Sequence, residues 1–316
     1  MEITARNLTA WVIAKLLIVM GLTRYATKKA LKGEYILSIY FHSPSREEFV
    51  SCIRWLKKNN FVFLSTSDLD YIFQGVQAFP KGAVLITVDD GWQSNERNII
   101  ETAREYCIPV TIFISTDAIE EGVFWWSYWV NNKSKIGANK QSVEALKKVP
   151  NTMRLLEVEK KKKATFIERN ALTIEQIKNA VSSEYITIGS HTHTHAILTN
   201  CNENEVHSEL HSSKQKLESW TGKEVKYFAY PNGDHNFREK QILKELKYRL
   251  AFGNQPEHIT PTRLLDPHSL PRFFFKEGAS FEENICRILG IWKFSRVWVK
   301  LAFSEIRQGI QTFTKK

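Results

Sequence analysis

The sequence predicts an α/β fold in which parallel strands build a sheet or a (β/α) barrel. Three features carry that expectation. From about residue 34 short apolar runs alternate with amphipathic helical segments. The run ValLeuIleThrVal at residues 84–88 is apolar almost throughout, as a strand covered by helices on both faces must be. The most polar motifs also follow directly on strand candidates, and in such folds chemistry gathers at strand C-terminal ends.

Along the chain, the first candidate strand is Tyr35 to Phe41. A helix follows at once: Ser45 with Glu48 three residues on is a capping-box pattern, and its apolar side collects Phe49, Ile53 and Leu56. The alternation continues as strand Ala83 to Val88, helix Asn95 to Tyr106, strand Val110 to Ile114, strand Ile186 to Ile188, helix Glu205 to Trp220 and strand Val225 to Ala229. The stretch from about Phe124 to Ala180 breaks the rhythm and reads as an inserted helical subdomain. It opens with Phe124, Trp125, Trp126, Tyr128 and Trp129, which either pack the insertion onto the barrel or offer sugar-stacking surfaces. Its basic run, Lys160 to Lys163, reads as a solvated helix face.

With 316 residues, 43% of them hydrophobic, the chain can bury one catalytic domain flanked by extensions, divided here as 1–33, 34–275 and 276–316. The apolar run Ala10 to Leu22 is interrupted by Lys15 and falls short of the roughly 20 residues that span a bilayer. Only Arg6 precedes it, no small-x-small cleavage site is evident, and Arg24, Lys28, Lys29 and Lys32 follow. The expectation is an amphipathic helix lying on the protein or on a membrane, with a signal segment as the alternative. From Ile291 onward Lys293, Arg296, Lys300 and Arg307 share one helical side, with Phe294, Trp298 and Leu301 elsewhere. This basic amphipathic helix either packs on the barrel or rests on a membrane surface.

The formal charge of +10 suits an acidic partner without choosing one. With no zinc-finger or RNA-binding signature, a nucleic-acid partner is not expected. Cys52, Cys107, Cys201 and Cys286 are scattered and form no CxxC pair, so neither a disulfide framework nor a thiolate zinc site is indicated.

Two motifs carry the chemistry. In ThrValAspAspGlyTrp (87–92) two carboxylates follow a strand; burying both is costly without a metal, a base or several hydrogen bonds, although Asp90 as a simple helix cap is the blander alternative. In IleGlySerHisThrHisThrHis (188–195) three histidines crowd into five residues, again after a strand candidate. In an extended chain His191 and His195 would lie about 13 Å apart at roughly 3.3 Å per residue. They can share one ion only if the chain curls after His191, which turns His193 elsewhere. If the strand instead continued, His191 and His193 would face the same side, as in HxH amidohydrolase sites.

Together these motifs resemble the polysaccharide deacetylases with the NodB homology domain, carbohydrate esterase family four, over roughly residues 35 to 275. Thr87, Val88, Asp89 and Asp90 match the family's ThrPheAspAsp, and His191, Thr192 and His195 match its His-Ser/Thr-x-x-His. PheAlaTyrProAsnGly (228–233), TyrPheHis (40–42) and LeuProArg (270–272) look like the PheAlaTyrPro branch. The resemblance implies a distorted (β/α) barrel of the NodB type with a helical insertion and a C-terminal amphipathic helix.

It further implies metal-dependent removal of N-acetyl groups from N-acetylhexosamine units of a bacterial polysaccharide or glycolipid. Asp90, His191 and His195 would hold a divalent ion, usually zinc in the family, and Asp89 would act as base. Tyr230, Pro231, Asn232 and Gly233 would form a groove wall whose backbone amides support the oxyanion. The family's late Leu-x-His, source of the proton for the leaving amine, is missing. His42, His235 and His268 are the candidates, and His268 is preferred because it precedes Arg272. Ala229 stands where many relatives carry an arginine that orients the base, and Arg272 is expected to substitute from another strand. A glycan-binding relative with weak turnover remains an alternative. A cytoplasmic or peripheral inner-membrane location is expected, with an exported form left open.

Overall fold

The computed structural model describes residues 4–130 and 142–293. Most of the basic C-terminal helix expected from Ile291 onward therefore lies outside the described residues.

Eight parallel strands form one curled sheet: β1 Leu37–Phe41, β2 Val62–Leu64, β3 Ala83–Val88, β4 Val110–Ile114, β5 Ile186–Ser190, β6 Tyr227–Ala229, β7 Leu250–Phe252 and β8 Phe273–Phe274. Their order is β7-β6-β5-β4-β3-β1-β8, with β2 pairing the start of β3. The segment entering β8 pairs Leu270 with Phe252 of β7, so the sheet curls almost into a ring, as the sequence predicts. Helices α3 Arg46–Lys58, α4 Thr66–Phe73, α5 Glu101–Tyr106, α6 Thr116–Glu121, α7 Asn151–Ala164, α8 Ile174–Val181, α9 Glu203–Thr221, α10 Phe237–Glu245, α11 Pro261–Leu264 and α12 Phe281–Ile288 complete the domain.

The strands are apolar on both faces because each face has its own core. Ala83, Leu85, Phe113, Tyr227, Ala229 and Phe252 point into the ring. Val84, Ile86, Val88, Ile112, Ile114 and Phe228 point outward into the helical layer. Side chains alternate across a strand, so this two-sided burial needs continuous hydrophobicity rather than a polar alternation.

Register aligns the strand ends that matter. Phe41 lies opposite Val88, and Ile114 opposite Ser190. The residues that follow, His42, Asp89, Ser115 and His191, consequently emerge together on one rim.

Two sequence expectations change in detail. The insertion is shorter than residues 124–180: α8 buries Ile177, Ala180 and Val181 against β5 and α9, the ordinary place of a crossover helix. The N-terminal helix is two helices, α1 Ala5–Val19 and α2 Leu22–Leu31, bent by 64°. The bend follows from Gly21, whose φ of 77° stops the first helix.

Gly189 in β5 shows how tightly the ring is filled. A Cβ there would come within 2.5 Å of the Phe113 ring and 2.9 Å of the Tyr227 carbonyl. Both neighbours are buried, so the clash cannot relax cheaply. Gly189→Ala is expected to cost about 1–3 kcal/mol, read as a lowered Tm in thermal unfolding followed by circular dichroism.

Candidate metal and active site

Asp89 and Asp90 leave β3 in different directions. Asp89 stays in the ladder, its N–H donating to the Phe41 carbonyl at 2.9 Å. Asp90 takes a left-handed conformation with φ of 77°, which swings its carboxylate away. Both are buried.

Asp89 is compensated by Arg272, which reaches it from the segment before β8. The guanidinium donates to Oδ1 at 2.7 Å and to Oδ2 at 2.9 Å, to Thr87 Oγ1 at 2.9 Å and to the Gly253 carbonyl at 2.9 Å. The Tyr40 ring lies 4.6 Å from it, with Phe113 and Phe252 close by. A fork-to-fork pair in an aromatic sleeve fixes the orientation of the carboxylate. Arg272, expected from the sequence to approach this aspartate from another strand, lies directly against it.

Asp90 faces two imidazoles. Its Oδ2 accepts from Trp92 Nε1 at 2.9 Å, while its Oδ1 is buried with no hydrogen-bond partner. His191 Nε2 lies 3.5 Å and His195 Nε2 3.4 Å from that Oδ1. Burial pulls the Asp90 carboxyl upward, but the neighbouring imidazoles, His195 first and then His42 and His191, outweigh it and hold the group below the usual carboxylate range.

His191 Nδ1 lies 2.7 Å from the Ala229 carbonyl. A carbonyl only accepts, so Nδ1 carries the proton and Nε2 presents its lone pair toward Asp90. Desolvation by burial is the main reason its pKa is pushed down to about 4, leaving it neutral at pH 7. A neutral imidazole oriented through a backbone carbonyl is the form a metal ligand takes.

His195 joins the pair because the chain curls. Thr192 and His195 both adopt left-handed φ values, 64° and 53°. Thr192 Oγ1 donates to the His191 carbonyl at 2.6 Å and accepts from the Ala196 N–H at 3.0 Å. His193 turns away to Thr116 Oγ1 at 2.8 Å, so the HxH pairing of His191 with His193 is not formed. One ligand atom each from Asp90, His191 and His195 lies within 4.8 Å of the others. Their donor chemistry, two imidazole nitrogens and an orphaned carboxylate oxygen, fits a divalent ion such as zinc.

The centre opens into a cleft of about 390 Å³, whose walls include Tyr40, His42, Trp92, Trp126, Tyr230, Asn232, Gly233 and Glu277. The aromatic cluster divides between the two roles considered for it. Phe124 and Trp125 are buried as packing, while Trp126 lies edge-on to His195 at 4.6 Å on the cleft wall. In the 230–233 turn the Gly233 N–H is taken by the Tyr230 carbonyl at 2.9 Å and Pro231 has no N–H. The amide this turn offers is therefore that of Asn232, which sits at φ of 60°.

His268 is not brought to the centre. Its Nε2 lies 2.8 Å from the carbonyl of Tyr248, just before β7, so it sits at the opposite end of the strands. Arg272 reaches the rim because the chain climbs alongside β7 between the two. His235 stacks on Tyr230 at 4.2 Å and meets Ser269 and Gly233. Of the three histidines considered for protonation, His42 lines the cleft, its backbone N–H donating to Glu277 Oε1 at 2.9 Å.

A support that sequence reading missed holds the histidine turn. Glu209 of α9 accepts from Thr194 N–H at 2.8 Å and Oγ1 at 2.7 Å. Arg154 of α7 donates to the Thr194 carbonyl at 3.1 Å and Oγ1 at 2.8 Å, and lies 5.0 Å over Trp125. Glu209 left a signal, a charge on the same helical face as Val206, Leu210 and Ser213. Arg154 left none in its basic segment.

The chain is similar to proteins of known type. A sequence model described as polysaccharide deacetylase matches residues 77–251, more than half of the chain. A poly-beta-1,6-N-acetyl-D-glucosamine N-deacetylase of Staphylococcus aureus is 23% identical over 266 residues, covering 79% of this chain and 76% of its own. Among solved structures, the Streptococcus pyogenes deacetylase PplD in complex with acetate has a TM-score of 0.60 at 16% identity, covering 81% of this chain and 98% of that one. IcaB from Ammonifex degensii has a TM-score of 0.59 at 18% identity, covering 82% and 97%. These structures share the fold.

The depressed His191 pKa has a thermodynamic consequence. Between pH 6.5 and about 4 the unfolded chain binds a proton at this histidine that the folded chain refuses, so stability is lost as pH falls. The loss from this group is expected to reach roughly 3 kcal/mol. Chemical denaturation of metal-stripped protein at pH 7 and pH 4.5 should show it, with a shallower fall in His191→Gln. His258, also pushed down to about 4 mainly by burial, accounts for part of what remains.

Proposed function

The chain belongs to the polysaccharide deacetylase family, and from that premise we propose that it hydrolyses the N-acetyl group of N-acetylhexosamine units in a bacterial polysaccharide or glycolipid, with a divalent metal ion, zinc first among candidates. The observation that carries the reading is the convergence of Asp90 Oδ1, His191 Nε2 and His195 Nε2 beside the Asp89–Arg272 pair in an open cleft. The activity for which the staphylococcal relative is named supports a hexosamine substrate.

An ion held by Asp90, His191 and His195 would supply Lewis-acid polarisation of the acetyl carbonyl and make a water easier to deprotonate. Asp89, oriented by Arg272, takes a proton from the water that attacks the amide carbon. The Asn232 N–H faces the oxygen on which negative charge develops. As the carbon–nitrogen bond breaks, His42 supplies the proton that lets nitrogen depart as an amine, and acetate leaves with the water's oxygen. Trp92 and Trp126, both part-exposed on the cleft wall, give the sugar apolar surface to lie against, and this seating supports catalysis by orientation.

Purified protein loaded with zinc should release acetate from acetylated β-1,6- or β-1,4-linked glucosamine oligomers or from lipid-linked amino sugars. Metal-loaded protein that releases none from any of them would overturn the proposal. Asp89→Asn is expected to lower kcat by roughly 10²–10⁴-fold while retaining bound metal. His42→Ala should fall in the same range, and His268→Ala should stay near the parent rate. Metal analysis after dialysis should find the ion lost from His195→Ala and kept in His193→Ala.

A further inference from the structure

The N-terminal helix pair is fastened to the domain along one face only. Asn7, Ala10, Ala14 and Leu17 of α1 are buried, and α1 packs against α12. Arg6 grips Glu283 at 2.5 and 2.9 Å, Lys15 pairs with Glu282 at 2.8 Å, and Asn7 donates to the Gly278 carbonyl at 3.2 Å.

The other face of α1 should be polar if it met only water, and it is not. Leu8 is 57% exposed, Val12 45%, Leu16 59%, Val19 84% and Met20 60%. Leu8, Val12 and Leu16 recur every four residues and form one outward row. Between Thr9 and Lys15 on its exposed side this row of large apolar side chains has no packing partner among the described residues.

The helix pair's own charges have one sign, and three of its cations are paired, Arg6 with Glu283, Lys15 with Glu282 and Lys29 with Glu34. Between Ala5 and Gly33 the chain carries Arg6, Lys15, Arg24, Lys28, Lys29 and Lys32 with no aspartate or glutamate. Arg24, Lys28 and Lys32 of the pair's second half are exposed and form no ion pair among the described residues. Among the described residues no single helix is long and apolar enough to cross a membrane; the bent pair passes that test only in combination, and its inner face is occupied by the domain.

We propose that the outward face of α1 and α2 docks on an anionic lipid bilayer, the Leu8–Val12–Leu16 row entering the interface and the lysines and arginine of α2 meeting lipid phosphates. The bilayer is the occupant this surface favours, because the exposed apolar row lies on the same helix pair as the exposed cations Arg24, Lys28 and Lys32, unpaired among the described residues. The fastened face of α1 reaches a segment beside the cleft: Asn7 donates to the Gly278 carbonyl, and neighbouring Glu277 lines the cleft. Docking is separate from the acetyl chemistry, since none of these side chains reaches the metal ligands.

Flotation of the full chain with phosphatidylcholine vesicles, with and without phosphatidylglycerol, tests this. Binding is expected to the anionic vesicles and to weaken with salt. The triple variant Leu8→Ser, Val12→Ser, Leu16→Ser should bind about tenfold more weakly at unchanged Tm, because these residues are already exposed. Lys28→Glu with Lys32→Glu should weaken binding to anionic vesicles selectively. The proposal is overturned if the parent ignores anionic vesicles or if the triple variant binds as the parent does. It is equally overturned if light scattering finds a parent dimer that the triple variant abolishes, since a second copy would then cover the face.

Discussion

Two carboxylates adjacent in the chain, both withdrawn from water, set the terms for the rest of the rim. Left together, Asp89 and Asp90 would repel across a medium that screens poorly. The chain separates them by one left-handed residue and compensates each from a different quarter. Arg272 arrives from the last strand to fork onto Asp89, while Trp92, His191 and His195 surround Asp90. The two solutions differ in kind. Asp89 has a full counter-charge within the chain. Asp90 faces a neutral His191 and keeps an oxygen without a partner, so its balance is left to something that binds.

The histidine turn pays for its two left-handed residues through outside supports. Thr116 holds His193, and Thr194 is clasped between Glu209 and Arg154, a buried acid and a buried base that meet across a threonine. Arg154 comes from the inserted segment. The insertion is therefore part of the site's frame as well as a wall of its cleft.

Most of the frame was legible in the sequence because burial on both faces leaves a plain mark: β3 and β4 read at nearly their observed bounds. Metal-bond lengths required a curl after His191 if His191 and His195 were to share an ion and left the extended HxH reading open; the left-handed Thr192 makes the curl. What escaped was long-range placement. His268 stands four residues from Arg272, yet the strand carries them to opposite ends of the ring; proximity in sequence says nothing of which rim a side chain reaches. Arg154 escaped because a buried guanidinium and a solvated one look alike in a lysine-rich helix. His42 was recognisable as a candidate, but only the register between β1 and β3 sets it beside Asp89.

The pairing of Asp89 with Arg272 spans 183 positions of chain. The carboxylate is made early in synthesis and its counter-charge late. Until β8 threads in beside β1, the rim holds an acid that cannot be dehydrated cheaply, so the finished site cannot precede closure of the ring. Helix α1, the first element described, rests on α12, the last. The described part of the chain thus closes on itself, its first helix seated on its last, and the charge of Asp89 is balanced only where the late segment before β8 meets the end of β3.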